Sequence, residues 1–453
     1  MTSFPYSVTM RRLKVICGLW LFALGLVILG PGCARHTIHP ASTQPVGRLA
    51  ENVYQTPTGQ LLTPAGMQVE LPGMRPQSLA LSPDGSLLAT AGKNHTLVLI
   101  DPDSGSILQT IALSTSRTNA LPDSESPTAG TGAETLTAQM SFAGLVFSPD
   151  GRRLYLSNTG GNVWMFPLDE RRRAGQPRVL PVPDARVPRQ NHELPTGLAL
   201  SPDGRRLYVA GNLGNRLHEL DAATGKCLRS WDTGVAPSDV LLAGNKVYVS
   251  NRGGRRPASG DLTAPAGKGT AVRVDPVRHI ATEGSLTVID LESGLVKGEI
   301  PVGLHASALA LSPDGRFLVA ANTGSDTLSV IETRTDRVVE KIWTRQTPAD
   351  LFGAQPAALA FDPSGHRLYV CNGTQNAVAV VEFTPSKNAS KVIGLIPVGW
   401  FPAALQFDAR RRRLCVANMR GIGSAKRFTP GEPAKLNTKD FFGTLSLIPV
   451  PTR

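Results

Sequence analysis

The 453-residue chain is short of cysteine, of aromatic residues and of charge. Its five cysteines, Cys17, Cys33, Cys227, Cys371 and Cys415, form no CxxC or CxxCH pattern, which excludes a zinc knuckle and a c-type haem attachment. Charged residues are 18% of the chain and aromatics 6%. That balance argues against a coiled coil, a helical bundle and a multi-span membrane protein. There is no P-loop, no HExxH helix and no nucleophile elbow. What the chain has in plenty is turn-formers, 45 glycines and 36 prolines. That is above the ordinary share and below that of a low-complexity chain. With 41% hydrophobic residues, the composition describes a turn-rich globular protein with a large core. Length alone would give about three domains, a prior that large all-β folds override.

The N-terminus reads as an export signal. Arg11, Arg12 and Lys14 precede an uncharged run from Val15 to Leu29, too short for a comfortable span and right for a signal h-region. Met10, just before the basic pair, would give a tidier start. The twin arginine is a weak Tat match, because Lys14 stands where an apolar residue is expected. Leu29-Gly30-Pro31-Gly32-Cys33 resembles a bacterial lipobox, with Gly32 in place and Pro31 and Gly30 off pattern. Three outcomes stay open: lipidation of Cys33, ordinary cleavage near Ala34, and a retained anchor. Each puts the body of the protein outside the cytoplasm, in the periplasm or cell envelope. Residues 35–60 read as a flexible tether. Cys227, Cys371 and Cys415 sit in apolar, strand-like stretches and read as buried free thiols.

A repeat decides the fold. Leu79 to Gly85 (LALSPDG) returns as Leu145 to Gly151, Leu198 to Gly204, Leu309 to Gly315 and Leu359 to Gly365. Val240 to Lys246 and Leu405 to Arg411 are worn copies, making seven. In each copy an apolar run ends at a turn, where proline presets the backbone and Asp-Gly tolerates positive φ. A second run follows, as in Leu207-Tyr208-Val209-Ala210 and Leu368-Tyr369-Val370-Cys371, rich in β-branched and aromatic residues. A third run ends in an acid, as at Ser285 to Asp290, and a fourth follows another turn, as at Val296 to Ile300. Four antiparallel strands repeated seven times predict an all-β, seven-bladed β-propeller over residues 61–453. The small residues before each repeat leucine suit a first strand crowded against the axis. The last copy has only three strands, while Gln68 to Gly73 matches the fourth-strand pattern of Glu299 to Gly303 and Leu395 to Gly399. The N-terminal strand is therefore expected to complete the last blade and remove the exposed edges.

These repeats resemble the YVTN (YncE-like) β-propeller repeats of bacterial exported proteins, over roughly residues 60–451. The stretches Asn251 to Pro257, Gly394 to Pro402 and Ala417-Asn418 with Gly421 to Ser424 look like a subgroup. In that subgroup the propeller often precedes an alkaline-phosphatase-like phosphoesterase domain. The closing strand uses the chain almost to Arg453, so the expectation is the propeller half without the phosphatase. The resemblance then implies a binding module, with a phosphoesterase as one partner class.

Departures from the repeat fall at Ala112 to Gln139, Asp169 to Glu193, Arg252 to Gly284, Trp343 to Ala354 and Met419 to Phe442. Loops after second and fourth strands share one face of a propeller, and all five are expected there. Loops carry function more than scaffolds do, so that face is the candidate binding face. Its candidate residues are Arg252, Arg255, Arg256, His305, Trp400, Phe401 and Arg420. The arginines suit phosphate or carboxylate oxygens, or else pin their own loop. His305 reads as a general base or a structural histidine, and Trp400 as packing or contact. Arg75, Ser141, Leu194, Ala236, His305, Gln355 and Phe401 precede the first strands and are too mixed for a ring-wide metal site. No cofactor or metal is expected. Asn158, Asn251, Asn322, Asn372 and Asn418 recur at second-strand ends and read as structural.

The net charge of +12 invites a nucleic-acid reading. Much of it lies in pairs on the tight hairpins, at Arg152-Arg153, Arg205-Arg206 and Arg410 to Arg413, with no aromatics interleaved, so nucleic acid is not expected. Two functions remain: an exported, non-catalytic and monomeric module binding a protein or small anion, and a propeller-type hydrolase such as a lactonase working at the channel mouth.

Overall fold

The computed structural model describes residues 46–92, 96–113, 140–188, 191–266, 270–347, 349–423 and 441–450. The predicted all-β, seven-bladed β-propeller is what it shows. Seven four-stranded antiparallel sheets follow one another along the chain. Blade 1 comprises Pro76–Leu81, Leu88–Gly92, Thr96–Ile100 and Ile107–Ala112, and blades 2 to 6 repeat that order. Blade 7 is built from Trp400–Asp408, Arg413–Gly421, Gly443–Pro449 and, from the other end of the chain, Met67–Leu71. That closing strand pairs with Gly443–Pro449 in the register Gly443↔Leu71, Leu445↔Val69 and Leu447↔Met67.

The core lies between blades. Each second strand is buried on both sides, and its alternation sends successive residues to different neighbours. Leu154 and Leu156 of blade 2 pack against blade 1, while Tyr155 between them packs against blade 3. Val247 and Val249 of blade 4 face blade 3, and Tyr248 faces blade 5. The recurrent apolar-Tyr-Val pattern is thus one strand serving two interfaces. Tyrosine also reaches a polar partner at the rim: Tyr155 Oη donates to Ala222 O at 3.1 Å and Tyr248 Oη to Asp336 Oδ1 at 2.5 Å. Cys371 and Cys415 are fully buried in such walls, where burial raises both thiols, Cys415 to about 12. Cys227 departs from the expectation: it lies on an outer strand and is exposed.

The first strands ring the axis. They leave little room there: a Cβ on Gly144 would sit 2.2 Å from Thr196 O, and one on Gly197 2.5 Å from Asp239 Cα. The small residues read from the sequence are therefore a steric requirement of the wheel.

The Ser-Pro-Asp-Gly turns share one hydrogen-bond scheme. Ser82 Oγ donates to Asp84 Oδ1 at 2.6 Å, Ser86 N donates to the same oxygen at 3.0 Å, and Leu87 N donates to Ser82 Oγ at 2.9 Å. Ser148, Ser201 and Ser312 repeat it with Asp150, Asp203 and Asp314. The basic runs beside these turns act as ties between blades. Arg411 bonds Gly85 O at 2.7 Å, Asp408 Oδ2 at 3.0 Å and Asp103 Oδ2 at 2.6 Å, fastening blade 7 to blade 1.

Two boundaries differ from the sequence reading. Residues read as tether supply two strands, Gly47–Ala50 and Val53–Gln55, of a small three-stranded sheet completed by Leu61–Leu62 at the start of the stretch read as propeller. It meets blade 6, where Asn376 Nδ2 donates to Gln60 Oε1 at 3.2 Å and Ala65 N to Pro397 O at 2.9 Å. The insertion read as Asp169 to Glu193 is interrupted by Arg178–Pro181, the fourth strand of blade 2. Only its second half lies on the loop-rich face; the first half joins the hairpin side.

Acid sensitivity follows from the turns. The Ser82 hydroxyl is the main cause that holds Asp84 at about 2 against an ordinary 3.8, and serine hydroxyls lower Asp150, Asp203 and Asp314 in the same way. Carboxyls depressed by folding stabilise above their unfolded value and lose that contribution as pH falls through the folded one. The denaturation midpoint should therefore fall between pH ~4 and ~2. Changing Asp84, Asp150, Asp203 and Asp314 together to Asn should flatten that slope. An unchanged slope would show that the acid response comes from elsewhere.

Candidate functional site

The loop-rich face carries the loops after second and fourth strands. Its largest described insertion, between Lys246–Asn251 and Gly284–Asp290 of blade 4, folds into a hairpin of Thr263–Pro265 and Ala271–Arg273. Val272 and Val274 pack with Val235 beneath it.

Two of the three candidate arginines here are engaged by the protein itself. Arg255 makes a forked pair with Glu283, Nε to Oε1 at 2.7 Å and Nη2 to Oε2 at 3.0 Å. Arg273 joins the same carboxylate at 3.0 Å; burial pushes Glu283 up, and the Arg255 hydrogen bond and charge, with Arg273 adding to them, hold it below its ordinary value. Arg256 donates to Thr233 O at 2.7 Å and Asn215 O at 2.6 Å. These side chains hold the insertion in place.

Arg252 is different. Its side chain is exposed and, among the described residues, makes no hydrogen bond and no ion pair. Its amide donates to Ala236 O at 3.1 Å, which places it beside the start of the first strand of blade 4. It lies close enough to Asp239 and His305 to act on both electrostatically. His305 is exposed at the start of blade 5, in the left-handed region at φ 55, and burial of its ring by the surroundings lowers its pKa, with Arg252 adding to the effect. Asp239 was not singled out from the sequence. Six blades place Ser, Gly or Ala before the repeat apolar residue, and blade 4 places Asp there. That break in the pattern was the available signal.

The left-handed conformation recurs at Ala236, His305, Gln355 and Phe401, each just before a first strand. Three of the four have the amide held by a carbonyl-type oxygen of the preceding blade. Asn215 Oδ1 accepts from Ala236 N at 2.8 Å, Asp326 Oδ1 from Gln355 N at 2.9 Å, and Asn376 Oδ1 from Phe401 N at 3.0 Å. At those three positions the turn before the first strand is fixed by the blade that precedes it.

Trp400, Phe401 and Arg420 come together at blade 7. Trp400 is buried, with the Arg420 guanidinium 5.0 Å from its ring centroid and Phe441 at 5.5 Å. Trp400 therefore packs. Phe401 is half-buried over Gly373.

The departure read from the sequence as Trp343 to Ala354 is a loop held by its own contacts over 344–355. Asp326, buried at the second turn of blade 5, holds it through Gly353 N at 2.6 Å and Gln355 N at 2.9 Å. Arg345 lies 3.8 Å from Asp326 and 4.8 Å from the Trp343 ring centroid. Thr347 and Asp350 close the loop on itself at 2.9 Å. At its apex Leu351 is 91% exposed and Phe352 67%.

The recurrent asparagines behave as joints. Asn251, Asn322 and Asn418 each donate Nδ2 to two hydroxyls on the adjoining third strand, at 2.8 to 3.1 Å. Among the described residues, no cluster of three His, Cys, Asp or Glu has metal-binding proximity. Cys33 lies outside the described residues.

Comparison with known proteins supports the fold. The family model described as lactonase, 7-bladed beta-propeller, matches residues 272–393, and the WD domain, G-beta repeat, matches residues 75–101. No curated protein is matched in sequence. Among solved structures, the hydrazine synthase of Kuenenia stuttgartiensis superposes with a TM-score of 0.52 at 18% identity, covering 78% of this chain and 94% of that one. The RRP9 WD40 repeats give 0.57 at 12% identity, with 84% and 97% covered. U3-55K gives 0.55 at 12% identity, with 84% and 98% covered. At these identities the likeness is one of fold: the chain is a β-propeller with WD-like repeats.

Proposed function

We propose that the protein is a binding module that docks a protein partner on its loop-rich face. The observation that carries this reading is the pair Leu351 and Phe352, held out to solvent on a loop fixed from beneath by Asp326 and Arg345. An exposed apolar pair on a mobile loop would lose ordering entropy on docking. On a loop already held by hydrogen bonds, that cost is small. Burying the two side chains would contribute about 1.5–3 kcal/mol each. The likeness to WD40-repeat propellers supports a docking scaffold. The subgroup resemblance makes a separate phosphoesterase the first partner to examine. A photo-crosslinking residue placed at Phe352 in source cells should give one discrete product, lost on Leu351→Asp and missing when the probe is at Arg205 on the hairpin face. No product at 352, or the same products at both positions, contradicts the reading.

The lactonase-model match over 272–393 supports a second reading, a propeller hydrolase working at the channel mouth. Turnover of aldonolactones by the purified chain, abolished by His305→Ala, is its test; absence of turnover removes it.

Export with lipid anchoring at Cys33 belongs to the first reading, because the basic, apolar and Gly-Cys order of residues 11–33 is that of a lipoprotein signal. Labelled palmitate should enter the wild-type chain and not Cys33→Ala. Equal labelling of both, or an unprocessed N-terminus, contradicts it.

A further inference from the structure

The mouth of the axial channel holds three side chains whose chemistry is unspent. Asp239 stands on a first strand, deep within the wheel, and still keeps part of its surface in solvent, so it lines the channel. Its oxygens accept the amides of Val240 and Leu309, each at 2.9 Å, which fixes the carboxyl and bridges blades 4 and 5. Each oxygen retains a lone pair for a further hydrogen bond. Arg252 is exposed and its guanidinium makes no hydrogen bond or ion pair among the described residues, while Arg255, Arg256 and Arg273 of the same insertion are all engaged. His305 is exposed at the adjoining rim, on a left-handed turn tied by Leu304 N donating to Ser325 Oγ at 2.8 Å and Thr323 N donating to His305 O at 3.2 Å.

We propose that Asp239, Arg252 and His305 form a binding site for inorganic phosphate at the channel mouth. The guanidinium offers two parallel N–H groups matched to two phosphate oxygens. The imidazole offers one N–H to a third oxygen. The remaining oxygen of phosphate carries a proton near neutral pH and donates it in a hydrogen bond to Asp239. Sulfate has the same shape and charge but no such proton, so its lone pairs face those of the carboxylate. The acid beside these donors therefore makes the site selective for a protonated oxyanion. The site is independent of protein docking at Leu351 and Phe352, and stands whether or not a partner binds there.

Isothermal titration of the full chain with sodium phosphate and with sodium sulfate, at matched ionic strength, tests this. Phosphate should bind saturably, and sulfate about tenfold or more weaker, the loss of one charge-assisted hydrogen bond. Arg252→Gln should weaken phosphate by about tenfold or more. Asp239→Asn should bring phosphate and sulfate close together, by removing the acceptor that tells them apart. Thermal unfolding without ligand checks that each variant folds. Should Asp239→Asn fail to fold, the sulfate comparison and Arg252→Gln still decide. The proposal is overturned if phosphate shows no saturable binding, if the wild type takes sulfate as well as phosphate, or if Arg252→Gln binds like the wild type.

Discussion

Everything in this protein depends on closing the ring between its two chain ends. A propeller blade cannot bury both faces alone; each needs a neighbour on either side. Six junctions are made by consecutive segments. The seventh joins blade 7 to blade 1, and blade 7 itself needs Met67–Leu71 to supply its outer strand. Val69 and Leu71 lie in the apolar cluster that spans blades 7 and 1. On the hairpin side, Arg411 reaches Asp103 and Gly85 of blade 1, and Arg413 lies 3.3 Å from the buried Asp408 that Arg411 also holds. Strand pairing, apolar contact and paired charge all meet at one seam.

A closed ring explains the division of labour between the faces. Blade walls are apolar and committed on both sides. The Ser-Pro-Asp-Gly face is occupied by its own turn networks and by arginine ties. Variation is left to the other face, where chain can be inserted after a second or fourth strand without disturbing a core. The structure uses that freedom in distinct ways. The blade 4 insertion is a self-held hairpin fixed by Glu283; the loop over 344–355 displays Leu351 and Phe352; the channel mouth leaves Arg252 open to water.

The sequence carried most of the fold because the fold is repetitive. The Ser-Pro-Asp-Gly turns, the apolar-Tyr-Val strands and the fourth-strand Pro-Val-Gly ends each recur, and a pattern seen several times is stronger than any single propensity. Arg178–Pro181 escaped because it is a four-residue edge strand with three exposed positions, its Val179-Leu180 pair set between prolines within a long departure from the repeat. The sheet within 47–62 escaped for a similar reason, its strands being two to four residues long. Cys227 looked buried because an outer strand and an inner one read alike in short apolar stretches. At the site, Arg252 and His305 could be placed on the correct rim by counting from the repeat. Which arginines were already paired depended on Glu283, Thr233 and Asn215, distant in the sequence and joined only by the fold. Asp326 likewise acts on residues 27 and 29 positions away.

The central claim is that the N-terminal strand seals the ring, and two buried leucines test it. Leu71 and Leu180 both sit on outer strands and are each about 1% exposed. Truncation of either to alanine costs a transfer and cavity contribution of about 2–5 kcal/mol. Only Leu71 holds the segment on which closure depends. Equilibrium denaturant unfolding of Leu71→Ala and Leu180→Ala, measured side by side, should show Leu71→Ala to be the more destabilised by about 1 kcal/mol or more, since loosened closure adds to the common cavity cost. Equal losses, or a greater loss for Leu180→Ala, would contradict the account.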